Sequence, residues 1–224
     1  MICLVTDRRR LVASGAASEA HACLVAQIRH AVDAGIDLIQ VRERDLEAGA
    51  LAALVSELLA VTRATPTRLV VNDRLDVALA CGADGVHLRG DAIPIASARQ
   101  LAPAGFLIGR SVHGVAEAIA AAGADYLIAG TVFASVSKPG QAQRLGIAGL
   151  RSIVTAVDRP VLAIGGIAGD RVREVAETGA AGVAAIGLFM ASLDDAEATG
   201  CRVVELRQIV KNARSRFDRL KTTP

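Results

Sequence analysis

The chain has 224 residues, of which 52% are hydrophobic and 2% aromatic, and its formal net charge is +2. This hydrophobic share excludes an intrinsically disordered chain, and so small a charge argues against a polyanionic partner such as a nucleic acid. Because α/β barrels start at about 200 residues, we expect one domain over residues 1–224.

Short β-branched segments alternate along the chain with longer segments rich in Ala and Leu. The predicted strands are 2–6, 38–42, 69–72, 85–88, 107–110, 126–130, 161–164 and 182–186. The predicted helices are 18–34, 46–63, 75–81, 95–101, 115–122, 147–157, 170–178 and 194–213. This alternation predicts a parallel sheet, and its length favours a single (β/α)8 TIM barrel. An open Rossmann or flavodoxin-like sheet is the alternative, but no GxGxxG follows the first strand.

The four cysteines form no CxxC pair; they are Cys3, Cys23, Cys81 and Cys201. Without a secretion signal at the N-terminus, they predict reduced, buried thiols in a cytoplasmic protein. No apolar segment reaches the roughly 18 residues of a membrane helix, so we expect no membrane span. The basic residues between Lys211 and Lys221 predict an exposed helix face. A homo-oligomer is compatible with these features.

Polar side chains concentrate at the ends of the predicted strands, where a TIM barrel carries its chemistry. Arg42 and Arg44 alternate along one strand, so both should point to the same side, and two cations on an inward face require anions. Asp73 and Asp91 follow strands three and four and are suited to Mg²⁺. The alternative for Asp73 is a cap on the next helix.

Two of the four histidines, His87 and His113, lie at predicted strand ends. Taken alone, each favours a structural role in the core over acid–base chemistry. Lys138 differs from most other basic residues because it is the only lysine before Lys211. Its Gly/Ser-rich loop follows strand six, so we interpret it as a compact positive charge selected for the site.

Glycines follow the last two strands in a pattern typical of a barrel phosphate site. Gly165 and Gly166 follow strand seven, and Ile186 and Gly187 end strand eight. Backbone N–H groups there, with the start of a short helix at 188–192, would bind a phosphate; a tight turn is the alternative for the glycine pair. Together the cations, carboxylates and phosphate site suit two phosphorylated groups, with Mg²⁺ bridging diphosphate oxygens.

A series of motifs runs along nearly the whole chain. They are LVTD at 4–7, QVRER at 40–44, NDRLD at 72–76, GADGVHL at 82–88, IGRSVH at 108–113, GADY at 123–126, GTVF at 130–133, SKPG at 137–140 and AIGGI at 163–167. In order and spacing, these motifs resemble the thiamine phosphate synthase and thiazole tautomerase superfamily. The resemblance covers the predicted strand ends and implies a TIM barrel.

The resemblance implies one of two activities. A synthase joins a pyrimidine methyl diphosphate to a thiazole phosphate and releases diphosphate, which Mg²⁺ and basic residues stabilise as it departs. The residues implied for the pyrimidine diphosphate are Gln40, Arg42, Arg44, Asn72 and Lys138. Those implied for the thiazole phosphate are Gly165, Gly166, Ile186 and Gly187. Asp73 and Asp91 would hold Mg²⁺, and Ser111, Ser135 and Ser137 would line the site.

A tautomerase instead aromatises a thiazole carboxylate phosphate by moving a proton. It would use His113 as general acid and base and would need no metal. His113, Lys138 and Ser111 are therefore the candidate catalytic residues across the two activities. The chain has the residues implied for a diphosphate, which a tautomerase would not need, and this favours the synthase.

Several positions depart from the pattern of the synthases. Arg44 stands where lysine is expected, and Ser137 stands where threonine is usual. Ala92 occupies the slot of the second metal ligand, and Asp91 lies one residue before it. The GRSVH motif at 109–113 is closer to the tautomerases. These departures leave the metal site and the choice between the activities open.

Two further classes are compatible with parts of the sequence. A non-enzymatic regulator is disfavoured because the chain has no helix-turn-helix and no basic stripe. Another phosphate-binding barrel, such as an isomerase of sugar or amino-acid metabolism, would not respond to thiazole substrates. The expected partners are thus small phosphorylated molecules.

Overall fold

The computed structural model describes residues 1–12, 16–134, 144–190 and 201–221, with side chains to residue 218. Its strands are β1 (Ile2–Val5), β2 (Leu38–Val41), β3 (Arg68–Asn72), β4 (Gly85–Leu88), β5 (Leu107–Val112), β6 (Tyr126–Gly130), β7 (Val161–Ile164) and β8 (Gly182–Ala185). Each strand is parallel to its neighbours, and β8 pairs with β1, so the sheet closes into a barrel in chain order. The predicted TIM barrel is confirmed.

Helices cover the outside of this barrel. They are α1 (Ala17–Asp33), α2 (Ala48–Thr62), α3 (Leu75–Cys81), α4 (Ile95–Leu101), α5 (Val115–Ala120), α6 (Gly146–Ala156), α7 (Val172–Ala176) and α8 (Arg207–Lys221). Short 3-10 turns follow β1 at Arg8–Arg10 and β8 at Gly187–Phe189. The elements agree with the predicted ones except at the last helix.

The last predicted helix, 194–213, is wrong over 201–206, because the described helix begins only at Arg207. Residues 194–200 lie outside the described residues. Cys201 forms a β-bridge with Val12, and the backbone N–H of Arg202 donates to the carbonyl of Leu11 over 2.7 Å. These contacts hold the backbone in an extended conformation, so it cannot form helical hydrogen bonds at the same time.

Side chains of each strand alternate between two hydrophobic environments, as the twofold period of a strand requires. On β1, Cys3 and Val5 belong to a small cluster inside the barrel that also holds Tyr126 and Ile128 of β6. Their chain neighbours belong to the larger cluster that joins the strands to the surrounding helices. This inward cluster fills the interior of the barrel below the carboxyl ends of the strands. Polar side chains line the carboxyl end itself.

The C-terminal helix α8 packs one face on the barrel and exposes the other. Val210, Ala213 and Phe217 are buried, whereas Lys211 and Arg214 are exposed. Lys211, Arg214 and Arg216 therefore form a solvated face, as predicted for this region; the side chains after residue 218 lie outside the described part of the chain. Among the described residues, no helix combines the length and the hydropathy needed to cross a membrane.

The prediction of four reduced thiols is wrong for Cys23 and Cys201, which form a disulfide with a Cα–Cα distance of 6.2 Å. The two lie 178 residues apart in the chain, so no local spacing could indicate the pair. Cys3 and Cys81 are free. Burial raises the pKa of the Cys3 thiol well above its ordinary value, which keeps this side chain protonated and inert.

Candidate active site

A cavity of about 750 Å³ opens at the carboxyl end of the barrel and is lined from all eight strands or the loops after them. The predicted site residues that line it are Gln40, Arg42, Arg44, Asn72, Asp91, Ser111, His113, Gly165, Gly166, Ile186 and Gly187. Asp73 is outside this lining but contacts it through Arg89. Ser135, Ser137 and Lys138 lie outside the described residues.

The alternation of the strands brings these side chains together. Gln40 is the last inward residue of β2, and Arg42 and Arg44 continue the same parity beyond it, so both arginines line the cavity as predicted. In the register of the barrel, Asn72 of β3 pairs with His87 of β4. Residues of equal parity on neighbouring strands thus meet at one end of the barrel.

A buried network fixes the backbone that carries the two arginines. The Thr6 hydroxyl donates to Oε1 of Glu43 over 2.6 Å and accepts the backbone N–H of Arg42 over 2.9 Å. Nη1 of Arg8 donates to Oε2 of Glu43 over 2.9 Å and to Oδ1 of Asp45 over 2.8 Å. Glu43 therefore points away from the cavity and holds the chain between Arg42 and Arg44.

Arg42 and Arg44 bring two positive charges to the same cavity. Partial burial, and then the nearby Arg44 charge, lower the pKa of Arg42. Like charges in a partly desolvated pocket destabilise each other until an anion binds between them. The arrangement suits a ligand with several negative oxygens.

Asp73 and Asp91 share one guanidinium. Nε of Arg89 donates to Oδ2 of Asp73 over 2.7 Å and lies 3.5 Å from Oδ1 of Asp91. Asp73 has a φ of 64°, the left-handed conformation that aspartate adopts more readily than most residues. The alternative that Asp73 caps a helix is wrong, because α3 starts after Arg74 and has no side-chain cap.

Gln40 carries a buried acceptor that has no hydrogen-bond partner among the described residues. The side chain is 3% exposed, its Nε2 donates to Oδ1 of Asn72 over 2.8 Å, and its Oε1 is left unpaired. An unmet acceptor in a buried position costs about 1–3 kcal/mol. Since Gln40 lines the cavity, a ligand with an N–H or O–H donor would satisfy it.

His87 links Ser111 to Tyr126 inside the barrel. Its Nε2 lies 2.9 Å from the Ser111 hydroxyl and its Nδ1 lies 3.2 Å from the Tyr126 hydroxyl. Burial, and then the charge of Arg110, lower the pKa of His87 to about 3. A neutral imidazole has one donor and one acceptor nitrogen, so His87 orients the serine, as the structural interpretation predicted.

His113 instead lies at the mouth of the cavity with a 46% exposed side chain. Oε2 of Glu117 lies 3.1 Å from its Nδ1 and accepts its backbone N–H over 2.8 Å. The prediction of a core histidine is therefore wrong for His113. The carboxylate holds the ring so that Nε2 is left for another partner, as an acid–base residue requires.

The glycine turn after β7 is built for a close approach of backbone. Gly165 and Gly166 have φ of 101° and 63°, and a Cβ on either would collide with Thr131 or Ala134. Side chains are thereby excluded, and the turn brings backbone to the cavity wall beside Gly187. The phosphate site predicted at this turn stays a prediction.

The strand-eight side of this site has a cation that sequence reasoning missed. A Cβ on Gly187 would lie 3.8 Å from Nη2 of Arg10, and Arg10 lines the cavity. The charge of Arg10 contributes, after burial, to a lowered pKa of Arg202. The only signal in the sequence was the run Arg8–Arg10 after the first strand, which does not tell which arginine faces the site.

Comparison with known proteins agrees with this geometry. The family model described as thiamine monophosphate synthase matches residues 4–189. The chain belongs to the thiamine monophosphate synthase family. It is 44% identical over 191 residues to a thiamine-phosphate synthase of Methanoregula boonei, covering 84% of this chain and 87% of that one. A thiamine-phosphate synthase of Pyrococcus furiosus is 41% identical over 189 residues, covering 84% and 88%.

Comparison with solved structures also relates this chain to the family. A thiamine phosphate pyrophosphorylase from Pyrococcus furiosus superposes with a TM-score of 0.75 at 38% identity, over 95% of this chain and 96% of that one. A 3-hexulose-6-phosphate synthase superposes with a TM-score of 0.65 at 17% identity, over 96% and 98%, which shows only a shared fold. The family relation therefore depends on sequence as well as on the barrel.

Two departures from the synthase pattern have a structural account. Arg44 lines the cavity, so it supplies the positive charge expected of lysine at that position. Asp91 lines the cavity as well and reaches the same guanidinium as Asp73, although it precedes the usual position at Ala92. Arg89 itself was missed, because nothing in the sequence indicates that it contacts Asp73.

Proposed function

We propose that this protein is a thiamine-phosphate synthase, which joins hydroxymethylpyrimidine diphosphate to a thiazole phosphate and releases diphosphate. The C–O bond to the diphosphate breaks with its electron pair on oxygen. The thiazole nitrogen supplies the pair for the new C–N bond. Membership in the family, with relatives of this name at 41–44% identity, supports the proposal.

The observation that carries the proposal is that two sides of one cavity each have features suited to an anion. Arg42 and Arg44 supply positive charge on one side, which suits a diphosphate leaving group. The Gly165–Gly166 turn and Arg10 lie on the side of β7 and β8 and suit a monophosphate. On the side of β2, Oε1 of Gln40 has no hydrogen-bond partner among the described residues, and it suits a donor such as an amino group on the pyrimidine.

The residues present also fit the Mg²⁺ that the family implies. Mg²⁺ in such enzymes is held by one or two carboxylates plus substrate phosphates and water. Asp73 and Asp91 would hold it, since both already contact one cation, Arg89. When bound, the ion would neutralise charge that develops on the departing diphosphate.

In the proposed reaction, the chain's own residues position the substrates and stabilise the departing diphosphate. Arg42 and Arg44 bind the diphosphate, and the Thr6–Glu43 hydrogen bond keeps the first of them in place. Ser111, oriented by His87, offers a hydroxyl to the reacting end of the pyrimidine. We also propose that Lys138 contributes a further charge to the diphosphate.

One experiment tests the proposal directly. Purified protein is incubated with Mg²⁺, thiazole phosphate and hydroxymethylpyrimidine diphosphate, and thiamine phosphate is measured, with each component omitted in turn. Asp73→Ala should lower the rate by at least about a hundredfold, the scale for loss of a charge-stabilising group. Asp76→Ala is the matched control, because Asp76 lies on α3 and pairs with Arg74. Absence of product with all components present would contradict the proposal.

A second candidate is a thiazole tautomerase, which the exposed His113–Glu117 pair favours. It predicts turnover of the thiazole carboxylate phosphate alone, lost in His113→Ala and independent of Mg²⁺. A synthase predicts that this variant still forms thiamine phosphate from the aromatic thiazole. Measuring both reactions for both variants, Asp73→Ala and His113→Ala, separates the two activities.

Three expectations accompany the proposed activity and stay predictions. They are a cytoplasmic location, the absence of a nucleic-acid partner and an assembly compatible with a homo-oligomer. The positive charge of the cavity is explained by small phosphorylated substrates and does not depend on these three expectations.

A further inference from the structure

Arg89 lies between two acidic side chains, those of Asp73 and Asp91. It follows β4 directly, and both its backbone N–H and its Nε donate to Asp73, over 3.4 and 2.7 Å. The same Nε lies 3.5 Å from Asp91. Its side chain is 46% exposed, so the guanidinium lies at the rim of the cavity and not in the core.

The surroundings of Arg89 are strongly positive. Arg42 and Arg44 line the same cavity, and the charge of Arg89 is among the causes that lower the pKa of Arg42. A third cation near two others is tolerated only if anions compensate it. Asp73 and Asp91 provide that compensation for Arg89.

A divalent ion would compete with this arrangement. Mg²⁺ binds carboxylate oxygens at about 2.0–2.1 Å and requires near-octahedral geometry. Oδ2 of Asp73 already accepts a charge-assisted hydrogen bond of 2.7 Å from Arg89. Two cations at one carboxylate repel each other, so a divalent ion and Arg89 compete for Asp73.

We infer that Arg89 is an internal occupant of the cation site, which a divalent ion must displace from Asp73 and Asp91. The inference rests on the proposed function, because that function implies the ion. Once displaced, Arg89 remains at the rim beside Arg42, where it can bind an oxygen of the diphosphate. The chain thereby couples cation binding to the arrival of a substrate that gives Arg89 a new anionic partner.

The test measures binding of Mn²⁺ alone to the substrate-free protein, with free Mn²⁺ followed by its electron paramagnetic resonance signal. Arg89→Gln should bind Mn²⁺ at least about tenfold more tightly than the parent, the effect of removing one charge-assisted hydrogen bond. Arg89→Lys keeps a competing charge and should stay near the parent. Arg74→Gln is the matched control, since Arg74 pairs with Asp76 and should change nothing.

Unchanged Mn²⁺ affinity in Arg89→Gln would overturn the inference. So would an absence of Mn²⁺ binding by that variant at millimolar concentration, or binding that survives a second change, Asp73→Asn. The synthase assay on the parent separates this result from the proposed function. If the parent forms thiamine phosphate but Arg89→Gln has unchanged Mn²⁺ affinity, only the inference is contradicted. If the Mn²⁺ affinity shifts tenfold but the parent forms no product, only the proposed synthase activity is contradicted.

Discussion

The hydroxyl of Thr6 and the carboxylate of Glu43 are joined by a 2.6 Å hydrogen bond that ties β1 to the chain just after β2. The same hydroxyl accepts the backbone N–H of Arg42. One buried oxygen thus connects the barrel to the arginine that enters the cavity. Burial raises the pKa of Glu43, against the opposing hydrogen bonds of Thr6 and Arg8, so this carboxylate depends on its partners to stay ionised.

Thr6→Val should loosen Arg42 without changing the shape of the core. Valine keeps the volume but leaves the Arg42 N–H unpaired, which should cost about 1–3 kcal/mol of unfolding free energy and raise the KM for the pyrimidine diphosphate. Thr6→Ser should restore both values because it restores the hydroxyl. Thr65→Val is the control, since that hydroxyl bonds only to the backbone of Thr62 and Thr67 in an outer turn. A lowered stability with an unchanged KM would show that the network does not position Arg42.

The stability of the protein should fall between pH 6.5 and pH 3 through His87. Its pKa is about 3 in the folded protein against 6.5 in the unfolded chain, so the unfolded state binds the proton first. The contribution is therefore fully present above pH 6.5 and is lost as the pH falls toward 3. At pH 5 the loss is about 2 kcal/mol, since one unit of pKa corresponds to about 1.4 kcal/mol.

Urea unfolding at pH 7.5 and pH 5 measures this effect. His87→Gln can still bond to Ser111 and Tyr126 but cannot titrate, so the difference in unfolding free energy between the two pH values should shrink by about 2 kcal/mol. His21→Gln, on the outer helix α1, is the control. An equal pH dependence in the parent and in His87→Gln would rule out the buried neutral imidazole.

Arg10→Gln should weaken binding of the thiazole phosphate selectively. A charge-assisted hydrogen bond contributes about 1.5–3 kcal/mol, so the KM for the thiazole phosphate should rise roughly ten- to a hundredfold. The KM for the pyrimidine diphosphate and for the thiazole alcohol without its phosphate should stay the same. Arg9→Gln is the control, because Arg9 is exposed on the same 3-10 turn. Equal effects of the two variants would remove Arg10 from the phosphate site.

The Cys23–Cys201 disulfide should stabilise the fold by restricting the unfolded chain. Closing a loop with a separation of 178 residues corresponds to about 5 kcal/mol in the chain-entropy model. Cys23→Ser should lower the unfolding free energy toward that limit, and a reductant should abolish its difference from the parent. Cys81→Ser, at a free cysteine, is the control. A free thiol at Cys23 in the mass spectrum of the non-reduced protein would contradict the bond.

The pattern of the chain was sufficient to predict the barrel and many of the polar residues that line the cavity. Arg42 and Arg44 were placed on one side from the twofold period of a strand, and the structure has both in the cavity. Gly165 and Gly166 were predicted from their position after a strand, and their positive φ values confirm a special turn. These inferences succeed because the period of a strand and the geometry of glycine are local properties.

Other features depended on contacts between distant segments. His113 was predicted as a core residue when taken alone, but the neighbouring Glu117 and the open barrel end hold it at the surface. The last helix was predicted too early, because pairing of Cys201 with Val12 replaces the helical hydrogen bonds there. In such places a contact with a distant partner overrides the local preference of the residues, and the sequence does not reveal that partner.

By itself, the sequence determined the eight βα units and the common side of Arg42 and Arg44, because the alternation of segments and the twofold period of a strand are local properties. Only the tertiary structure decided which charges meet. Asp73 pairs with Arg89 across 16 residues, Arg10 reaches Gly187 from the other end of the chain, and Cys23 bonds to Cys201. Closure of the barrel sets these distances, since it brings β8 beside β1, and no repeat or spacing along the chain records that closure.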